Sequence, residues 1–178
     1  MTIAIIIILI IMIVLFNQII REENATKNAF STVDVLLRKR YDLIPNLIEV
    51  VKGHASHEKE VFENIADIRN KVINSQDKEF LVKTDGEMNS ALKELLMVAE
   101  EYPNLKTNES FLELQKNLLL IEDELSAARR TYNAAVTEYN ITLESFPTNI
   151  VAKIMNKKHK ILFSVTDDVK NAINLKNI

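Results

Sequence analysis

Residues 3–16 are an unbroken run of apolar side chains, and no charged residue precedes Arg21. At 1.5 Å of helical rise, the roughly 20 residues of 1–20 reach about 30 Å, the thickness of a bilayer's hydrocarbon core. The pattern predicts a transmembrane helix. A secretory signal peptide brings a basic start and a small-residue cleavage site, whereas Thr2 and the exit Asn17-Gln18-Ile19-Ile20 supply neither, so the segment reads as a retained anchor. An apolar core helix of a soluble domain would keep a polar face, and this one has none.

After Arg21 the pattern becomes amphipathic. Phe30, Val33, Leu37, Tyr41, Ile44, Ile48 and Val51 fall on or near one stripe and predict a core-facing helix. Pro45 lies inside it, removes the hydrogen bond to the Tyr41 carbonyl and predicts a kink. Gly53 has the position of a helix C′ residue, and Ser56 followed by Glu58 that of a new N-cap with an acid in the first turn. Residues 53–55 therefore read as a tight turn, with one continuous kinked helix as the competing reading. Val61, Ile65, Ile68 and Val72 mark a second helix ending near Ser75. A polar stretch over 74–85 follows. Thr84 with Glu87 then has the form of a capping box opening a third helix, striped by Met88, Ala91, Leu95, Val98 and Tyr102 and stopped by Pro103.

The strongest periodic signal is Phe111, Leu114, Leu118, Ile121, Leu125, Ala128, Tyr132, Ala135 and Tyr139, alternating three and four apart. This is a heptad seam, which predicts knobs-into-holes packing of a long helix over 108–146, ended by Pro147. A short helix over 148–155 is expected beyond it. Short connections favour antiparallel neighbours. The fold expected is all-α: an N-terminal transmembrane helix (1–20), an up-and-down antiparallel four-helix bundle with long helices (21–156), and a C-terminal tail (157–178). Within the tail, Lys157-Lys158-His159-Lys160 and Ile161-Leu162-Phe163 receive no assignment.

Composition sharpens this picture. Two glycines and three prolines in 178 residues leave few sites for tight turns, which suits long helices. The absence of Cys excludes disulfides, thiolate nucleophiles and thiolate metal sites. A net charge of −3 with interspersed signs lacks the basic footprint of a nucleic-acid binder. Orientation follows from the flanks: Arg21, Lys27, Arg38, Lys39 and Arg40 come after the span and no Lys or Arg precedes it, which predicts a cytoplasmic C-terminal domain.

Several stretches in order resemble the LemA family of bacterial membrane-anchored helical proteins. They are Leu37-Arg38-Lys39-Arg40-Tyr41-Asp42-Leu43-Ile44-Pro45-Asn46-Leu47, Val51-Lys52-Gly53-His54-Ala55-Ser56-His57-Glu58, Glu101-Tyr102-Pro103-Asn104-Leu105-Lys106, Phe111-Leu112-Glu113-Leu114-Gln115, Ala128-Arg129-Arg130-Thr131-Tyr132-Asn133, and Tyr139-Asn140 with Phe146-Pro147. The resemblance implies a single-pass anchor in the bacterial inner membrane, with the N-terminus outside and a helical bundle in the cytoplasm. It brings no catalytic residues. Some members take part in magnetosome formation and others occur alongside membrane metalloprotease genes, but these residues assign neither role. The chain departs from the family at His54, where an aromatic residue is usual, and after Phe163.

A di-iron bundle needs Glu-x-x-His on two helices, and none of the three histidines, His54, His57 and His159, completes one. His54 and His57 with Glu58 read as a polar helix entry. Gly53 and Gly86 stand alone, so no Gly-rich phosphate loop exists. Arg38-Lys39-Arg40 reads as a solvated helix face with Asp34 and Asp42 placed to pair with it, and binding of anionic lipid or an acidic partner is the sharper reading. Tyr132 and Tyr139 share the seam and are expected in the core with satisfied hydroxyls; Glu122-Asp123-Glu124 reads as a solvated face. No catalytic, cofactor-binding or metal residue is assigned. The function expected is a non-enzymatic scaffold or adaptor with a protein partner. A metal-dependent accessory enzyme using His57 and a homo-oligomeric membrane organiser are the alternatives.

Overall fold

The computed structural model describes residues 1–75 and 77–164. They form an all-α fold of six helices with no strand among the described residues: α1 (Thr2–Lys52), α2 (Lys59–Ile73), α3 (Lys78–Glu101), α4 (Pro103–Lys106), α5 (Glu109–Glu144) and α6 (Thr148–Ile154). The chain divides into two compact units. The first takes Met1–Val35 and Leu125–Leu162, the second Leu36–Glu124 with Phe163. The expected tail beyond Ser164 lies outside the described residues.

Helix α1 is continuous from Thr2 through Lys52, and its N-terminal part is long and apolar enough to cross a membrane. It is the candidate membrane anchor. Pro45 does not divide the helix. Proline has no N–H for the Tyr41 carbonyl one turn back, and Arg69 of α2 supplies the missing donor, its Nε donating to that oxygen at 2.9 Å. The defect in one helix is thus repaired by its neighbour.

Of the two readings for residues 53–55, the turn is observed. The Gly53 N–H donates to the Glu49 carbonyl at 3.2 Å and the Ala55 N–H to the Val51 carbonyl at 2.8 Å, while the Ala55 side chain is buried. Gly53 has no positive φ, so it lacks the left-handed geometry of a C′ glycine. Nor does Ser56 cap α2. The N-cap position falls to Glu58, which makes no side-chain cap bond and instead stands 3.5 Å from the Tyr102 hydroxyl at the far end of α3. That contact, between the start of α2 and the end of α3, fixes the two as antiparallel.

The largest departure from expectation is the start of α3. The helix opens at Lys78, seven residues before Asp85, and the proposed capping box at Thr84 and Glu87 lies inside it. Asp77 is the cap, its carboxylate accepting from the Glu79 N–H at 2.9 Å. The reason is packing: Leu81, Asp85, Met88, Leu92, Leu95 and Ala99 are all buried at alternating spacings of four and three, so a stretch that looks polar in sequence carries a core-facing stripe.

Pro103 ends α3 and begins the single turn α4, which buries Leu105. The Asn108 side chain then caps α5, accepting from the Phe111 N–H at 3.0 Å. The 36 residues of α5 give a rod of roughly 54 Å. Along its seam Phe111, Leu118, Leu125, Ala128, Tyr132 and Tyr139 are buried, whereas Leu114, Ile121 and Ala135 are half-buried.

Candidate functional site

Within the second unit the stripe of α1 runs through Leu37, Arg40, Ile44, Leu47 and Val51, all of them buried. Arg40 therefore stands where a leucine would be ordinary, and its side chain is 0% exposed. A bare guanidinium could not remain there. Its Nη2 donates to Asp85 Oδ1 at 2.8 Å, and its Nη1 to Asn89 Oδ1 at 2.5 Å and to Glu122 Oε2 at 3.1 Å. The partners come from α3 and α5, so one side chain of α1 ties three helices together. Burial works against the guanidinium's charge, but Asp85, Tyr41 and Glu122 outweigh it and hold its pKa above the ordinary arginine value. The group stays charged at every physiological pH. Glu122, whose side chain is 34% exposed, carries the cluster to the surface.

Beside Asn89 and Glu122 opens a cleft of about 250 Å³ between α3 and α5, lined further by Leu92, Lys93, Leu96, Leu118 and Leu119. Four leucines make its apolar wall, and Asn89, Lys93 and Glu122 are its polar groups. Such a wall suits an apolar side chain presented by another molecule better than a polar metabolite.

The first unit holds a different polar arrangement. Lys157, Lys160 and Ile161, in the segment after α6, bond to side chains of α1 and α5. Lys157 Nζ bonds Glu23 Oε2 at 2.5 Å, and Lys160 Nζ donates to the Thr26 hydroxyl. Asn140 pairs with the Lys160 backbone in both directions, Nδ2 to carbonyl and N–H to Oδ1, each at 3.0 Å. The Tyr132 hydroxyl donates to the Ile161 carbonyl at 3.2 Å, and the Lys160 ammonium sits 4.7 Å from the Tyr139 ring centroid. Burial pushes both tyrosine hydroxyls above their usual pKa. The Lys157 hydrogen bond, opposed by burial, holds Glu23 below the ordinary carboxylate range.

These positions revise the sequence reading. Arg40 does not belong to a solvated face: Arg38 and Lys39 are exposed, but Arg40 points inward to Asp85 and Glu122 rather than to Asp34 or Asp42. Glu122 leaves the acidic surface run for the same reason, while Asp123 and Glu124 remain exposed. Tyr132 and Tyr139 are in the core as expected. His54 and His57 lie exposed in the turn between α1 and α2, and no group of three His, Asp or Glu side chains suited to a metal is assembled among the described residues. Alternating spacings could have flagged the missed cluster, since Arg40 and Asp85 both occupy stripe positions on their helices.

The chain is 26% identical over 152 residues to Protein LemA of Metamycoplasma hominis, covering 85% of this chain and 69% of that protein. It is 25% identical over 174 residues to Magnetosome protein MamQ 2 of Paramagnetospirillum magneticum (83% and 64%) and 21% identical over 154 residues to Magnetosome protein MamQ of Magnetospirillum gryphiswaldense (72% and 57%). The chain thus spans between about half and two thirds of the length of these relatives. The LemA family model matches residues 29–176, a stretch that contains the Arg40 cluster, the cleft and the clasped segment; the chain belongs to the LemA family.

Proposed function

We propose that this protein is a non-enzymatic scaffold, held by α1 at the cytoplasmic face of a bacterial inner membrane, that receives an amphipathic helix of a partner protein in the cleft between α3 and α5. The observation that carries the reading is the cleft itself. Leu92, Leu96, Leu118 and Leu119 face one opening, and Leu119 is 56% exposed, as are Met97 at 61% and Leu120 at 54% on the same two helices. A concavity walled by leucines, with Leu119 exposed at its mouth, suits helix-in-groove recognition, which reads side chains three and four apart. Basic residues following the span support the orientation. The relatives named for magnetosomes carry that role in their own names, and it does not bear on which partner is received here.

A photo-crosslinking side chain at Leu119, introduced in the full chain in its native membrane, is expected to give a discrete adduct with another protein, lost when Leu96→Asp disrupts the cleft without altering helicity. An adduct of twice the chain's mass would assign the cleft to self-association, and no adduct at Leu119 would overturn the reading. A reporter fused after Ile178 is expected to read out as cytoplasmic; a periplasmic readout reverses the orientation.

A further inference from the structure

Helix α6 has two apolar faces, and among the described residues only one of them is packed against the fold. Val151 and Ala152 are buried in a cluster with Ile19 of α1 and Tyr139 and Leu143 of α5, and Leu15 and Met155 pack against it. On the other side Ile150 is 51% exposed and Ile154 72%, one turn apart, and Phe146, on the turn leading into the helix, is 81% exposed. The place of this unused face matters. If α1 enters the bilayer at Thr2, about 20 residues of helix bring it to the far boundary of the hydrocarbon, so Leu15 and Ile19 fall in the last turns of the span. A helix packed on those two residues is held at the membrane boundary. Its charges suit that level too: Lys153 on α6 and Lys158 and Arg21 close by are exposed, and α6 contains no acid.

We infer that α6 is an interfacial helix, lying against the leaflet at which α1 leaves the bilayer, with Phe146, Ile150 and Ile154 in the acyl boundary and Lys153, Lys158 and Arg21 among anionic headgroups. This rests on the reading of α1 as a membrane anchor. It adds a second attachment, which fixes how the bundle is held against the membrane, where a lone span would leave it free to swing. Peripheral helices divide their surface in this way, large apolar residues toward the acyl region and Lys or Arg toward phosphates. The continuity of α6 with Leu15 and Ile19 is the reason to name the bilayer as occupant rather than a soluble partner.

The chain has no native cysteine, so single-site labelling tests the inference directly. A polarity-sensitive fluorophore is placed on Ile150→Cys, Ile154→Cys, Ile8→Cys and Asp123→Cys of the full chain, reconstituted in phosphatidylcholine–phosphatidylglycerol vesicles carrying a spin label either shallow or deep in the acyl chain. Positions 150 and 154 are expected to emit to the blue and to be quenched by the shallow label several-fold more than position 123, while position 8 is quenched by the deep label. Emission at 150 and 154 matching position 123, with position 8 still quenched, would overturn the interfacial helix and leave the anchor standing. Blue emission without lipid quenching, rising with protein concentration, would overturn it in favour of a second copy of the chain. Loss of quenching at position 8 would overturn the anchor and the inference together.

Discussion

The two units each contain a cation bonded to a carboxylate, yet the pairs differ in what surrounds them. Lys157 and Glu23 meet at the edge of the first unit with side chains 21% and 17% exposed, whereas Arg40 and Asp85 in the second are 0% and 6% exposed. Water can replace either partner of the first pair after a substitution. In the second it cannot, so the remaining charge would be stranded among apolar side chains. The shorter contact, 2.5 Å between Lys157 and Glu23, is therefore the weaker clasp, and the longer, 2.8 Å between Arg40 and Asp85, the strict requirement. A buried ion pair need not add stability over well-packed leucines, but in this alignment of α1, α3 and α5 both Nη atoms of Arg40 find acceptors on the neighbouring helices.

The largest effect should come from separating that pair. Arg40→Met is expected to cost about 3–5 kcal/mol by leaving Asp85 buried without its cation, read from denaturation of the detergent-solubilised chain. Arg40→Met combined with Asp85→Leu should recover much of the loss, since both charges then leave together; equal losses in single and double variants would show that the cluster is not coupled.

Leu118→Ala should cost about 2–5 kcal/mol, as other buried large-to-small changes do. Leu118 is buried in the α5 seam and Ile121 is only half-buried, so Ile121→Ala should cost less. Asp123 faces water, and its replacement by Ala should stay within about 0.5 kcal/mol. A cost at Asp123 equal to that at Leu118 would contradict the helix register that brings Glu122 to Arg40.

Arg69→Ala should cost about 1–3 kcal/mol, the usual penalty for stranding a buried polar group, here the Tyr41 carbonyl. In a Pro45→Ala background that carbonyl regains an N–H from residue 45, so the same replacement should cost less. Additive losses in the double-mutant cycle would show that Arg69 acts elsewhere.

The smallest effect belongs to the half-buried clasp. Lys157→Ala should cost at most about 1 kcal/mol. Because Glu23 titrates below its ordinary value of about 4.5, the clasp contributes fully at neutral pH and fades as pH falls from that value through the lowered one. Glu23→Gln should flatten this acid limb in melting curves recorded from pH 7 to pH 3, and an unchanged limb would assign the acid sensitivity to other carboxylates.

Much of this protein was readable from its sequence because hydrophobic period and helix breakers act locally. The apolar run before Arg21, the seam from Phe111 to Tyr139 and the stops at Pro103 and Pro147 each reflect side chains within a few turns of one another. What failed shared a different cause. Residues 74–85 looked like a loop because Thr84 and Asp85 are polar, and Arg40 looked solvated because two basic residues precede it. Asp85 is tolerable in a core stripe because Arg40, 45 residues earlier, arrives at 2.8 Å, and Arg40 is tolerable there because Asp85, Asn89 and Glu122 await it. The repair of Pro45 by Arg69 is of the same kind, 28 residues away in the chain. Sequence by itself determined the all-helical class, the candidate anchor and most of the apolar faces. Only the tertiary structure decided which charges are buried, because a charge becomes a core residue through its partner, and partners distant in the chain meet only when the helices pack.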